Sequence, residues 1–198
     1  MNKGRLEAFS DGVLAILITI LVLGLREPAG ASLSALRPLG VVFLSYLLSF
    51  AYLAIYWNNH HHMLQTCVRV TGPMLWANMH LLFWLSLIPW ATAWMGASRF
   101  APAPVAVYGA ILLMAALAYM ILQAVIISVQ GPDSLLKEAV GSDWKGKVSP
   151  LLYAAAIAAA FFVPRVSGAL YALVAALWLV PDPRIENALR ARRERLGN

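Results

Sequence analysis

The sequence predicts an all-α integral membrane protein with six transmembrane helices and both termini in the cytoplasm. Three observations point there. The 198 residues are 61% hydrophobic and 12% charged, about half the charge of an ordinary soluble domain. Mean hydropathy is +0.73. That much apolar surface does not fit inside one water-soluble core, so the solvent is lipid. In lipid every backbone hydrogen bond is satisfied internally, which leaves helices or a closed barrel. The apolar runs are long and lack period-2 alternation, which selects helices.

The six segments follow in order. The first runs from about Leu6 to Leu25 and stops at Arg26-Glu27-Pro28. The second, Leu39 to Leu64, is long enough to tilt or project beyond the bilayer. The third, Met74 to Met95, is interrupted by Pro89. The fourth runs from Pro104 to Val129. The fifth and sixth, Val148 to Val163 and Val166 to Val180, are short. Sixteen helical residues reach ~24 Å, against a hydrocarbon core of ~30 Å. A tight hairpin around Pro164-Arg165 accommodates both; a single broken or re-entrant element is the alternative. These last segments are rich in small residues. Gly168, Ala172 and Ala176 share a helix face suited to close packing, read here as packing inside the subunit, with subunit contact as the other use.

Charge sets the orientation. With a cytoplasmic N-terminus and six spans, eleven lysines and arginines fall inside (Lys3, Arg5, Arg69, Lys137, Lys145, Lys147 and the five from Arg184 to Arg195). Four fall outside: Arg26, Arg37, Arg99 and Arg165. This is the positive-inside pattern. The chain is one six-span unit, residues 1–198, with a first helix over 1–25 and a basic cytoplasmic tail over 182–198. The net charge of +6 serves topology and lipid headgroups and does not indicate a nucleic-acid partner. The single cysteine, Cys67, excludes an internal disulfide. Acidic residues interrupt the charged N-terminal region, so it does not read as a cleavable signal peptide.

The first helix carries the chemistry. At 100° per residue, with Ile16 at 0°, Ile20 falls at about 40°, Leu23 and Arg5 at about 340° and Phe9 at about 20°. Thr19 flanks this stripe, while Ser10 and Asp11 point away from it, toward neighbouring helices. A bulky aliphatic stripe of this kind also suits a core or a lipid contact. Asp11 needs donors at the membrane edge. Arg5 is six residues away on another face, so partners come from other helices: His60, His61, His62 or Asn78. Three consecutive histidines point about 100° apart and cannot all ligate one ion, so no metal site is expected. No nucleophile motif or glycine-rich phosphate loop appears, and no enzyme activity or cofactor is expected. Carboxylates are absent from the middles of helices two to six, which counts against a proton-coupled carrier.

The motif Arg5-x-x-x-Phe9-Ser10-Asp11 on a first membrane helix resembles the transmembrane protein 175 family of potassium channels, in its single-repeat bacterial form. Trp57-Asn58-Asn59-His60-His61, Leu75-Trp76-Ala77-Asn78 and Leu87-Ile88-Pro89-Trp90 extend the resemblance over residues 5 to 95. Beyond that it is topological only. The resemblance implies a homotetramer whose four first helices line a central pore. It implies that Ile16 forms the constriction, that Ile20 and Leu23 line the pore, and that Thr19 influences selectivity. Arg5, Phe9, Ser10, Asp11, Trp57, His60 and Asn78 form the motif network. The carbonyl filter Thr-Val-Gly-Tyr-Gly is absent. The expected function is a multi-pass, potassium-selective leak channel of the cell membrane, modestly selective among monovalent cations, with potassium as permeant ion and lipids as surroundings. The alternatives are a secondary transporter or small-solute permease, and a non-transporting scaffold.

Overall fold

A computed structural model describes residues 2–131, 134–141 and 143–179. The expected basic tail, 182–198, lies outside the described residues. Among these, α1 spans Lys3–Leu23, α2 Gly40–Gln65, α3 Gly72–Ser86, α4 Ile88–Ala97, α5 Pro102–Gln130, α6 Leu135–Val140, α7 Trp144–Ala160 and α8 Pro164–Leu179. A 3-10 helix, Leu33–Leu39, precedes α2.

Local sequence explains the boundaries. The Asn2 side chain caps α1 by accepting from Gly4 N at 3.1 Å, which satisfies one of the orphan donors of the first turn. Prolines sit in the first turns of α3, α4 and α5, where a missing N–H costs nothing. The third apolar segment is two helices, because Pro89 cannot donate back along the chain. Leu87 N instead reaches Trp84 O at 3.3 Å and the helix restarts at Ile88.

Among the described residues, four stretches are long and apolar enough to cross a bilayer: Lys3–Leu23, Leu33–Gln65, Gly72–Ala97 and Pro102–Gln130. The helices α7 and α8, of 17 and 16 residues, are shorter and pack on each other as a hairpin. The helix α5 sits centrally, against α3, α4, α7 and α8, while α1 rests on α2, α3 and α4.

Buried hydroxyls cross-link the bundle. Ser49 Oγ lies 2.6 Å from Thr92 Oγ1 and 2.9 Å from Tyr108 OH. Tyr52 donates to Tyr171 O at 2.7 Å and Tyr171 donates to Val105 O at 3.0 Å. Each of these hydroxyls thus finds a partner where no water is available. Gly109 leaves the room for Tyr171: a Cβ there would land on the Tyr171 hydroxyl and lie 2.9 Å from Ile157 Cγ1. Gly109→Ala is therefore expected to destabilise the chain by about 1–3 kcal/mol through overpacking, read as a lower midpoint in thermal unfolding in detergent.

The small-residue face of α8 differs from expectation. Ala172 and Ala176 are exposed on the chain, and internal packing uses Ser167, Tyr171, Val174 and Ala175. The reason is the tyrosine. Its ring and two hydrogen-bonded partners fix which side of α8 faces inward.

Candidate functional site

The helix α1 has two distinct sides. Leu6, Ser10, Leu14, Leu17 and Leu21 are buried against the neighbouring helices. On the other side Phe9, Ile16, Ile20 and Leu23 are 50%, 58%, 43% and 80% exposed. Arg5 and Thr19 are exposed with them. The uncovered side is thus the stripe drawn from the sequence. The Thr19 hydroxyl donates to Ile16 O at 2.8 Å, which leaves its oxygen lone pairs directed outward.

Antiparallel packing of α1 on α2 sets a register. Lys3 Nζ donates to Gln65 O at 2.9 Å, and eight residues along each helix Trp57 Nε1 donates to Asp11 Oδ1 at 3.0 Å. The carboxylate expected to meet His60–His62 or Asn78 therefore meets Trp57. In this register His60 lies nearly a turn from the level of Asp11.

A separate, fully buried relay joins three helices. Asn78 Nδ2 on α3 donates to Ser10 Oγ on α1 at 3.0 Å, and His60 Nε2 on α2 lies 2.7 Å from Asn78 Oδ1. The amide oxygen can only accept, so His60 carries its proton on Nε2. Ser10 and Asn78 are wholly inaccessible and His60 nearly so. This relay fixes the rotation of α1 about its own axis, because turning Ser10 away would orphan buried polar groups.

The other candidates fall around this core. The His61 ring stacks on Trp57 at 5.9 Å and its Nε2 lies 2.8 Å from Gln65 Nε2. Among the described residues, His62 Nδ1 is buried without a hydrogen-bond partner. Among the described residues the Arg5 side chain has no partner, and no group of three histidines, cysteines or acids converges as a metal site would. Cys67 is buried, and burial pushes its thiol up to about 11, so it stays protonated and unreactive. Sequence reasoning missed the buried hydroxyl links Thr92–Ser49–Tyr108 and Tyr52–Tyr171. The one available signal was Ser49 and Tyr52, three residues apart and so on one helix face.

An all-helical chain with four crossing-length apolar stretches, hydroxyl cross-links inside and aliphatic surface outside is a multi-pass membrane protein. The family profile described as "Endosomal/lysosomal potassium channel TMEM175" matches residues 5–89. A potassium channel of Chryseobacterium sp. (strain P1-3) is 56% identical over 190 residues, covering 96% of this chain and 99% of that protein. A potassium channel of Streptomyces collinus is 34% identical over 131 residues, covering 62% of this chain and 64% of that one. The crystal structure of a lysosomal potassium-selective channel TMEM175 homolog from Chamaesiphon minutus matches with a TM-score of 0.73 and 27% identity, over 91% of this chain and 97% of that one. The chain belongs to the TMEM175 family.

Proposed function

We propose that this chain is one subunit of a potassium-selective leak channel of the cell membrane, a homotetramer with four copies of α1 around a central pore. The observation that carries the reading is the two-sided α1. A buried polar relay holds one side, and a column of aliphatic residues is left uncovered on the other. The potassium channels among its relatives support the ion. In the proposed topology both termini are cytoplasmic, α3 and α4 together make one span, and the short α7–α8 hairpin completes six.

In this arrangement Ile16 converges on the axis with its three copies, with Ile20 and Leu23 following outward. Such a ring offers no ligand to replace an ion's hydration shell. It blocks flow by drying when narrow, and passes a partly hydrated ion when it widens. Ions that shed water easily are favoured, so selectivity for potassium over sodium is modest. Thr19, beside the ring, offers the one hydroxyl on the uncovered face. Thr19→Ala is expected to change the potassium-to-sodium permeability ratio several-fold while leaving assembly intact, measured as a shift in reversal potential under bi-ionic conditions.

Purified chain reconstituted in liposomes with a potassium gradient tests the proposal. A channel gives a flux set by the electrochemical gradient that does not saturate. A saturating flux with obligatory exchange would make the protein a carrier, and no flux would leave it a scaffold.

A further inference from the structure

A cavity of ≈ 40 Å³ lies among residues of α2, α5, α7 and α8, and α1 contributes nothing to its lining. It has room for about two or three water-sized groups. Five of its lining residues are aromatic: Tyr52, Tyr56, Tyr119, Tyr153 and Trp178. Among the described residues, Asp143 is the only charged one that lines it. Asn59, Asp143 and Trp178 are each partly exposed, which leaves a way in.

We propose that this cavity binds a small protonated amine, of which methylammonium is the simplest. Aromatic faces carry negative charge density and attract ammonium groups. The Trp178 ring is already engaged by Lys145 Nζ, 5.9 Å from its centre, which leaves the tyrosine rings to face the guest. The Asp143 carboxylate precedes α7 in a left-handed conformation, φ 44° and ψ 47°. Its Oδ1 accepts from Gly146 N at 3.2 Å and its Oδ2 from Gln123 Nε2 at 3.1 Å. Both donors are neutral, and further lone pairs remain for an ammonium N–H.

Two of the remaining polar groups are already committed to other partners. Ser149 Oγ accepts from Trp178 Nε1 at 2.9 Å and donates to Lys145 O at 2.7 Å. Tyr119 OH donates to Asn59 O at 3.3 Å. A potassium ion stripped of water needs a full shell of oxygens, whereas an alkylammonium needs one carboxylate and ring faces for its methyl group.

Equilibrium dialysis of the full chain in detergent against radiolabelled methylammonium tests this. Saturable binding of one ion per chain is expected, undiminished by a several-fold excess of potassium. Asp143→Asn retains the helix cap and tolerates the left-handed backbone, and should bind about tenfold more weakly or worse, because the charge-assisted hydrogen bond is lost. Tyr119→Phe keeps the ring and should bind as wild type, while Tyr119→Leu should bind several-fold more weakly. No saturable binding, equal binding by Asp143→Asn, or displacement by potassium would each overturn the proposal. Binding requires no current, so it stands or falls apart from the channel reading.

Discussion

Ile16→Asn is expected to raise potassium conductance by about tenfold and to lower selectivity over sodium. Ile16 is the bulky residue of the uncovered stripe nearest the middle of α1. In the proposed tetramer four isoleucines at one level would make a dry ring. Four amides hold water there and offer oxygens to either ion, so the barrier falls. A tenfold gain corresponds to about 1.4 kcal/mol off that barrier. The side chain is exposed on the chain, so the substitution buries no polar group within the subunit. Ile121, 46% exposed on α5, is the matched control, and Ile121→Asn should leave both quantities unchanged. Single-channel or liposome flux recordings of the three proteins decide the matter. An Ile16→Asn assembly that conducts and selects like wild type would move the constriction away from this residue.

Asn78→Leu is expected to remove most of the folded assembly. Leucine fills the volume of asparagine and bonds to neither partner. Ser10 on α1 and His60 on α2 are then left buried without their bonds. At about 1–3 kcal/mol for each orphaned group the loss is about 2–6 kcal/mol, a large share of the ~5–15 kcal/mol that holds an ordinary domain together. Asp11→Ala should cost much less, because its partner Trp57 is 43% exposed and its indole finds other acceptors. Yield of the assembled protein by size exclusion, with a thermal midpoint, ranks the two. A greater loss from Asp11→Ala than from Asn78→Leu would place the principal anchor at the carboxylate.

The sequence was legible where one periodicity carried the information. The apolar runs located the helices, and a 100° rotation per residue separated the Ile16–Ile20–Leu23 stripe from Ser10 and Asp11. It was mute where register decided. The partner of Asp11 depends on how far α1 slides along α2. The Lys3–Gln65 contact that fixes this joins residues 62 apart in the chain. The inward side of α8 was likewise set by something non-local. Small residues permit close packing, but Tyr171 had hydrogen bonds to make with α2 and α5, and its burial turned Ala172 and Ala176 outward. The break at Leu87 was announced by a proline. The 3-10 helix at Leu33–Leu39 was less plainly marked, because Pro38 falls inside it, within a short polar-apolar mixture between two long spans.

The uncovered side of α1 is proposed to line the conduction path. Single cysteines along α1, in a Cys67→Ala background, test it most directly. Each variant is reconstituted, and potassium flux is followed while a charged, membrane-impermeant thiol reagent is added. Rapid block is expected at Ile16→Cys, Ile20→Cys and Leu23→Cys, and slow or no block at Leu14→Cys, Leu17→Cys and Leu21→Cys, whose native leucines are buried against the neighbouring helices. Fluxes untouched at all three stripe positions, with block at an exposed α5 position such as Ile121→Cys, would contradict it.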